Sequence, residues 1–191
     1  MLSKTIKSVD LYTLFIIDSS GSMSGEHTVQ LNQYMDGMLD LFKQIEENGG
    51  NIHIQISALR FSTSCSWIGS GSPVTLEEFK WKSPVPRGLT SVGTALEELK
   101  CCLDDPSFII KRARPAKVAI FFISDGYATD YYQDALEDLK SNQYYNNAFR
   151  ACIRIGDETD DEMLEDICGN RSNIFSYDEC NSCAVKLWKF L

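Results

Sequence analysis

The sequence predicts a doubly wound, Rossmann-like α/β fold, in which a mostly parallel six-stranded sheet is flanked by helices. Two observations carry this prediction. The continuous apolar runs at residues 11–17 and 117–124 are typical of strands that are buried on both faces. Segments with helical periodicity alternate with these and other strand-like segments along the chain. We find neither an internal repeat nor a linker, so residues 1–191 are expected to form a single domain.

The first half of the chain predicts two long strands with a helix between them. The run LYTLFII, residues 11–17, predicts the first strand. Apolar residues then recur at spacings of three and four, which predicts an amphipathic helix ending near residues 48–50: Leu31, Met35, Met38, Phe42 and Ile45. The alternating, β-branched residues 51–61 predict a second strand. Residues 62–88 are rich in Ser, Gly and Pro and predict an irregular segment with one short edge strand.

The second half continues the alternation. A helix is predicted from about residue 91 through 103, and KVAIFFIS at 117–124 is the most apolar strand of the chain. The remaining predicted helices lie at 131–141, 160–169 and 184–191, and the remaining strands at 149–156 and 172–177.

The charge balance indicates which partners to exclude. The net charge is −9, with 27 Asp and Glu against 18 Lys and Arg. Nucleic acid and anionic membranes both require a basic surface, so neither is expected as a partner. The one basic cluster, at residues 111–114, is interpreted as a solvated loop. The N-terminus lacks the layout of a signal peptide and no apolar run is long enough for a membrane span, so we expect a cytoplasmic protein.

The seven cysteines predict reduced thiols. Cys180 and Cys183 form a CxxC pair, with Cys152 and Cys168 upstream. Four thiolates could form a tetrahedral zinc site, but a strong zinc motif needs a second paired CxxC. Structural zinc is therefore not expected, and packing is the preferred role.

A cluster of oxygen-bearing side chains is predicted at one edge of the sheet. Asp18 closes the first strand, and Asp125 closes the strand at 117–124. In the common strand order these two strands are neighbours at the switch point, where ligands bind. Ser20 and Ser22 follow Asp18 at i+2 and i+4, and Thr90 precedes a helix. Two carboxylates and three hydroxyls favour Mg²⁺, with Mn²⁺ as the alternative.

These residues carry a family resemblance. Asp18-Ser19-Ser20-Gly21-Ser22, with Thr90 and Asp125-Gly126, is similar to the metal-ion-dependent adhesion site (MIDAS) of von Willebrand factor A (vWA) domains. All five ligand positions of that motif are filled, in the expected order and strand context. Within the family, the chain most resembles the TerY-like proteins of bacterial tellurium-resistance and stress operons, in residues 78–99, 124–140 and 149–164.

The resemblance implies a role for each of the five residues. Ser20 and Ser22 would coordinate the metal directly, and Asp18 would act mostly through a water. Thr90 and Asp125 would exchange between direct and water-mediated contact. The sixth position would accept an Asp or Glu from a protein partner, because a metal with few anionic ligands attracts an outside anion.

Simpler interpretations exist for each part of the motif. The serines after Asp18 could cap the next helix, and Thr90 could be an N-cap. Asp125 alone could mark a common turn, and Asp130 and Asp157 are interpreted as solvated caps or turns.

His27 and five aromatic residues are further candidates for contacts at the predicted site. His27 is the better placed of the two histidines for a contact there, although an exposed residue at a helix start is the favoured interpretation. Five aromatic residues could line an interface or cover the edge of the core, and the sequence does not decide between these: Trp67, Trp81, Tyr127, Tyr131 and Tyr132.

The resemblance thus implies a non-enzymatic, Mg²⁺-dependent protein-binding module of a tellurite-resistance or stress system. Its partners would be Ter-operon proteins or an associated kinase and phosphatase. One alternative is a vWA partner of a MoxR- or chelatase-type AAA ATPase. A metal-dependent phosphatase is the alternative from a different class, but haloacid-dehalogenase-like phosphatases need a second aspartate where this chain has Ser20.

Overall fold

The computed structural model of the protein describes residues 8–109 and 116–191. The basic cluster at 111–114 and the N-terminal segment 1–7, whose character was assessed from the sequence, lie outside the described residues. Within the described ranges, no helix is both long and apolar enough to cross a bilayer.

The centre of the fold is one mixed, mostly parallel sheet, which confirms the predicted fold class. Its strands are β1 (Val9–Asp18), β2 (Ile52–Phe61), β3 (Cys65–Ile68), β4 (Val74–Thr75), β5 (Ala116–Ser124), β6 (Phe149–Arg154) and β7 (Ile174–Ser176). The strand order is β3-β2-β1-β5-β6-β7, and β4 pairs with β2. Strands β3 and β4 are antiparallel to β2, whereas the other pairs are parallel. The irregular segment therefore contributes two short edge strands where one was predicted.

Helices cover both faces of the sheet. They are α1 (Glu26–Gly49), α2 (Val92–Asp104), α3 (Gln133–Leu139), α4 (Gln143–Asn147), α5 (Asp161–Cys168) and α6 (Cys180–Phe190), with short 3-10 turns at Gly21–Met23 and Arg171–Asn173. Helix α6 begins at Cys180, before the predicted start at residue 184. Helix α4 was not predicted, because its sequence QYYNN has no apolar periodicity. It forms behind an N-cap, where the Asn142 side chain accepts hydrogen bonds from two backbone N–H groups.

Side chains of alternate residues in the central strands pack into two separate hydrophobic cores, one on each face of the sheet. Leu11 and Phe15 of β1 point to the core under α1 and α6. Tyr12 and Leu14 point to the core under α2, α3 and α5. Both sets are nearly inaccessible to solvent, which explains why the strand reads as one continuous apolar run.

The pairing of β1 with β5 sets the position of the site. Ile17 pairs with Ile123, so the carboxyl ends of the two strands lie level. Asp18 is the last residue of β1, and Asp125 directly follows β5. The prediction that these two strands are neighbours is therefore confirmed, and both aspartates lie at one edge of the sheet.

Candidate metal centre

Asp18 is a fully buried carboxylate that the protein holds by both oxygens. Oδ1 accepts a hydrogen bond from the backbone N–H of Ser20 at 2.8 Å, and Oδ2 accepts one from the Ser124 hydroxyl at 2.7 Å. Burial raises the pKa of Asp18 above its ordinary value, and these hydrogen bonds oppose the rise. The negative charge of nearby Asp125 raises it further. Asp18 is thus fixed in place, and its burial disfavours the ionised form of the carboxyl group.

Ser20, Ser22 and Asp125 form a row of oxygen atoms. The hydroxyl oxygens of Ser20 and Ser22 lie 3.0 Å apart, and the Ser22 hydroxyl donates to Asp125 Oδ1 at 2.9 Å. The 3-10 turn at Gly21–Met23 brings the two serines together. Neither hydroxyl caps helix α1, whose N-cap is Gly25 with no side-chain hydrogen bond. Capping therefore does not explain the serines.

The loop that carries Thr90 is bonded directly to the loop after β1. The Gly21 N–H donates to the Gly88 carbonyl at 3.0 Å, and the Arg87 N–H donates to the Ser19 carbonyl at 2.8 Å. Gly88 has a φ of 81°, and a Cβ there would lie 2.6 Å from Thr63 Oγ1, so glycine is required. This connection brings Thr90 to the site from a distant part of the chain.

Thr90 is buried, but its hydroxyl has no hydrogen-bond partner among residues 8–109 and 116–191. Its carbonyl accepts from the Thr129 N–H at 2.9 Å, which fixes the backbone. The N-cap of α2 is Ser91, so the interpretation of Thr90 as that helix's N-cap is wrong. The backbone of this loop thus fixes the position of the Thr90 side chain.

Three of these side chains, Ser22, Thr90 and Asp125, line one cleft of about 540 Å³, whereas Asp18 and Ser20 are buried and do not line it. The lining residues come from four loops and from the first turn of α1: Ser22, His27, Thr90, Asp125, Gly126, Tyr127, Asp157 and Glu158. Asp157 is exposed in a bend, as its interpretation as a solvated turn predicts, and it also lines the cleft. Asp130 lies in the loop after β5 and packs against the first turn of α2, where its carboxylate accepts a hydrogen bond from the Thr94 N–H at 3.4 Å. The cleft is open to a macromolecule at its Ser22 end, because Ser22 is exposed.

His27 is the site residue that sequence reasoning undervalued. Its Nδ1 lies 2.6 Å from Asp125 Oδ2 and 3.1 Å from the Ser22 carbonyl oxygen. A carbonyl can only accept, so Nδ1 carries the proton and donates to both oxygens. The ring also rests on Gly156, where a Cβ would come within 2.6 Å of Nε2. The feature of the sequence that could have identified His27 is its position in the first turn of the helix that follows the serines.

The aromatic residues divide between the two interpretations. Tyr127 is 62% exposed and lines the cleft, and Tyr131 is 71% exposed. The other three are structural. Tyr132 is buried and donates to Asp166, Trp67 packs on Phe108, and Trp81 donates to Asn32. Tyr127 is thus the only one of the five that lines the cleft.

The cysteines lie on opposite faces of the sheet. Cys152 and Cys168 belong to the core under α2, α3 and α5, whereas Cys183 belongs to the core under α1 and α6, with Cys180 packed against it. The sheet separates the two pairs, so the four thiols cannot converge on one zinc ion. In the described part of the chain, no three His, Cys, Asp or Glu side chains converge to hold a metal.

The comparisons with known proteins agree with this architecture. The family model described as von Willebrand factor type A domain matches residues 13–187. No curated protein sequence matches the chain. Proximal thread matrix protein 1 from the mussel byssus, solved with a zinc-occupied MIDAS motif, superposes with a TM-score of 0.69 at 16% identity, over 96% of this chain and 48% of that one.

Two microbial structures are similar as well. A von Willebrand factor type A protein from Catenulispora acidiphila gives a TM-score of 0.63 at 14% identity, over 95% of this chain and 42% of that one. The ArnB paralog VWA2 from Sulfolobus acidocaldarius gives 0.61 at 19% identity, over 95% and 45%. The chain spans about half the length of these structures or less, and at these identities the likeness shows the fold alone.

Proposed function

Because the chain belongs to the von Willebrand factor type A domain family, we propose that it is a protein-binding module that uses a divalent metal to capture a partner's carboxylate. The residues that would hold the metal are Asp18, Ser20, Ser22, Thr90 and Asp125. The observation that carries this proposal is the row of oxygens from Ser20 through Ser22 to Asp125, which lies at the edge of an open cleft.

The spacing of this row fits a small octahedral cation. Metal–oxygen distances of about 2.0–2.1 Å place adjacent ligand oxygens roughly 2.9 Å apart. The two observed separations are 3.0 and 2.9 Å. The Thr90 hydroxyl, which has no partner within the described ranges, adds an uncommitted oxygen on the same cleft. These two spacings support the assignment of Ser20, Ser22 and Asp125 as ligands of one metal ion.

The contacts of each residue support the division of roles. Ser20 and Ser22 would be direct ligands, since their hydroxyls already lie side by side. Asp18 would act through water, because both of its oxygens already accept hydrogen bonds from the protein. Asp125 and Thr90 face the cleft and would exchange between direct and water-mediated contact.

Hard, mostly neutral oxygen ligands favour Mg²⁺, with Mn²⁺ as a close substitute. The zinc in the mussel protein belongs to that protein. When bound, the metal supplies a positive charge that two protein carboxylates balance loosely, so an Asp or Glu of a partner is attracted to the cleft.

The biological setting belongs to the proposal too. We assign the chain to a cytoplasmic bacterial tellurite-resistance or stress system, with Ter-operon proteins or an associated kinase and phosphatase as partners. The support is the TerY-like character of residues 78–99, 124–140 and 149–164. A MoxR- or chelatase-type AAA ATPase is the alternative partner, and a neighbouring gene for such an ATPase would select it.

The module is proposed to be non-enzymatic. The support is that, among the described residues, no serine hydroxyl or cysteine thiol forms a hydrogen bond with the His27 ring, whose Nδ1 bonds to Asp125 and to the Ser22 carbonyl. Assay of a generic phosphoester with Mg²⁺ tests the phosphatase alternative, and we expect no sustained hydrolysis. Sustained hydrolysis that disappears in Asp18→Ala would replace the binding role with an enzymatic one.

Metal binding is tested by thermal unfolding with and without Mg²⁺ or Mn²⁺. At a metal concentration of 100 times Kd, binding adds about 2.7 kcal/mol to the free energy of unfolding. We expect a clear increase in Tm for the native chain and none for Ser22→Ala. Ser70→Ala, an exposed serine in a loop outside the cleft, is the matched control. An equal Tm increase in all three proteins would refute the site.

Carboxylate capture is tested with Mn²⁺ as the bound ion. A glutamate side chain that reaches the metal displaces water from it, so the relaxation enhancement of water protons falls. We expect a blocked glutamate peptide to lower it and a blocked glutamine peptide to leave it unchanged. The same response to both peptides would contradict capture while leaving metal binding intact.

A further inference from the structure

A second cleft lies on the other side of the loop that carries the serines. It has a volume of about 330 Å³ and is lined by two arginines and four serines: Arg60, Arg87, Ser19, Ser62, Ser64 and Ser66. Arg60 is at the carboxyl end of β2, where it is level with Ile17 of β1. This second cleft is therefore at the same edge of the sheet as the candidate metal centre.

The two arginines are not neutralised by the protein. Among the described residues, no carboxylate forms an ion pair with Arg60 or Arg87. Arg60 Nε donates to the Ser66 hydroxyl at 2.7 Å, which anchors the side chain and leaves its terminal nitrogens for another acceptor. Arg87 is exposed on the rim. The net charge of the chain is −9, but two guanidinium groups without a carboxylate partner give this cleft a locally positive potential. The cleft is therefore suited to bind anions.

Hydroxyl donors complete the lining of the cleft. The side chains of Ser62 and Ser64 make no hydrogen bond to residues of the described ranges. The Ser19 hydroxyl is committed, since it donates to the Phe61 carbonyl at 2.8 Å. Guanidinium groups combined with free hydroxyls suit an oxyanion, either a carboxylate or a phosphate, because such groups accept several hydrogen bonds at once.

The second cleft and the metal centre share one wall. Ser19, which lines the second cleft, directly follows Asp18 and directly precedes Ser20. Arg87 belongs to the loop that continues to Thr90, and its N–H is bonded to the Ser19 carbonyl. A peptide that binds at the metal and runs toward Ser19 would therefore reach the side of the loop that carries the arginines.

We propose that the Arg60–Arg87 cleft binds a second oxyanion of the partner segment whose first carboxylate binds the metal. This proposal rests on the proposed function for the identity of the partner, whereas anion binding by the cleft itself does not depend on the metal. The partner is then an acidic segment with two anionic side chains, the second being an Asp, a Glu or a phosphorylated residue.

The anion site is tested first without metal. In EDTA and low salt, inorganic sulfate is titrated into the native chain while the NMR signals of the arginine Nε–H groups and of the backbone amides of residues 62–66 are followed. We expect saturable shifts of the Arg60 signal and of these amide signals. The amide signals should report at least tenfold weaker binding in Arg87→Gln and in Arg60→Gln/Arg87→Gln. Arg171→Gln removes an exposed arginine elsewhere and serves as the charge-matched control. Sulfate binding that is equal in all variants would overturn the proposal.

Ser22→Ala separates this proposal from the metal site, because it should bind sulfate like the native chain. The second stage uses Mg²⁺ and peptides with one glutamate, two glutamates, or a glutamate and a phosphoserine, spaced by one to three residues. We expect a doubly anionic peptide to bind at least threefold more tightly than the single-glutamate peptide. In Arg60→Gln/Arg87→Gln, this gain in affinity should disappear. The more strongly bound of the two doubly anionic peptides identifies the source of the oxyanion. Equal binding of all three peptides would overturn the role of this cleft in partner recognition.

Discussion

His27 Nδ1 lies 2.6 Å from Asp125 Oδ2, although the two residues are 98 positions apart in the chain. The same nitrogen reaches the carbonyl oxygen of Ser22, whose hydroxyl donates to the other carboxylate oxygen. Asp125 is thus held on both sides, with Oδ1 directed to the serines and Oδ2 to the imidazole. The histidine sets which carboxylate oxygen faces the metal centre, and therefore acts as a positioning residue.

Replacement of His27 should weaken metal binding. Loss of a hydrogen-bonding partner of a metal-ligating carboxylate typically lowers metal affinity by about 10- to 100-fold. We expect His27→Ala to bind Mg²⁺ about tenfold more weakly by calorimetry. His27→Asn should recover part of the affinity, because its amide N–H can replace Nδ1–H. His53→Ala, an exposed histidine of β2, is the control, and an unchanged Kd in His27→Ala would contradict the positioning role.

Gly156 should support Mg²⁺ binding indirectly, through its contact with the His27 ring. An alanine there would place its Cβ 2.6 Å from His27 Nε2, and the φ of 75° disfavours any side chain. We expect Gly156→Ala to lower the free energy of unfolding by more than about 1 kcal/mol and to weaken Mg²⁺ binding as His27→Ala does. The double variant His27→Ala/Gly156→Ala should bind Mg²⁺ no more weakly than His27→Ala alone. Additive losses of affinity would show that the two residues act independently.

Thr90→Val should separate metal binding from folding. Valine keeps the shape of the side chain and removes a hydroxyl that has no partner among the described residues. The change in the free energy of unfolding without metal should be below about 1 kcal/mol. The Mg²⁺-induced increase in Tm should fall sharply, and Thr90→Ser should restore it. A large loss of stability in EDTA would instead assign the hydroxyl a structural role.

Asp18→Asn should preserve the metal-free fold and lose the metal. The pKa of Asp18 is raised in the folded chain, chiefly by burial, so the ionised carboxylate costs folding free energy at neutral pH, and this cost disappears as the pH falls. Asparagine can still accept from the Ser20 N–H and can donate to the Ser124 hydroxyl. Urea unfolding in EDTA at neutral pH should find the variant at least as stable as the native chain. A marked destabilisation would mean that the charge itself holds the loop.

Thiol labelling should detect one fast cysteine. Cys101 is exposed, whereas Cys152, Cys168 and Cys183 are buried. Hydrogen bonding with Cys152 lowers the pKa of Cys168 to about 7, but its burial should prevent rapid reaction. We expect Cys101→Ser to abolish the fast phase with a thiol-reactive dye in native conditions. A fast phase that persists and is removed by Cys168→Ser would show that the core opens around α5.

Much of the fold and of the candidate site could be predicted from local patterns. The run at residues 11–17 identifies a strand buried on both faces because its side chains alternate between two cores. Asp18, Ser20 and Ser22 are specified by their spacing within one loop. The position of Asp125 beside that loop follows once β1 and β5 are taken as neighbours, whereas Thr90 is placed by the bonds of its own loop to Ser19 and Gly21. These inferences succeed because strand periodicity and parallel topology allow few arrangements.

Other features depended on contacts that no local pattern encodes. Helix α4 forms through the Asn142 cap, and helix α6 begins early because Cys180 and Cys183 pack on Tyr34 of α1. The separation of the cysteines onto opposite faces of the sheet is set by which side of β6 and α6 each occupies.

The sequence by itself determined the α/β architecture and the oxygen-rich loop at the switch point, because both follow from short-range periodicity and spacing. Only the tertiary structure decided that His27 forms a hydrogen bond with Asp125 and that Arg60 and Arg87 line the same cleft as Ser19. These pairs join residues from distant segments. Their contacts depend on the register of β1, β2 and β5 and on the path of the loop before α2, which are fixed only when the whole sheet is assembled.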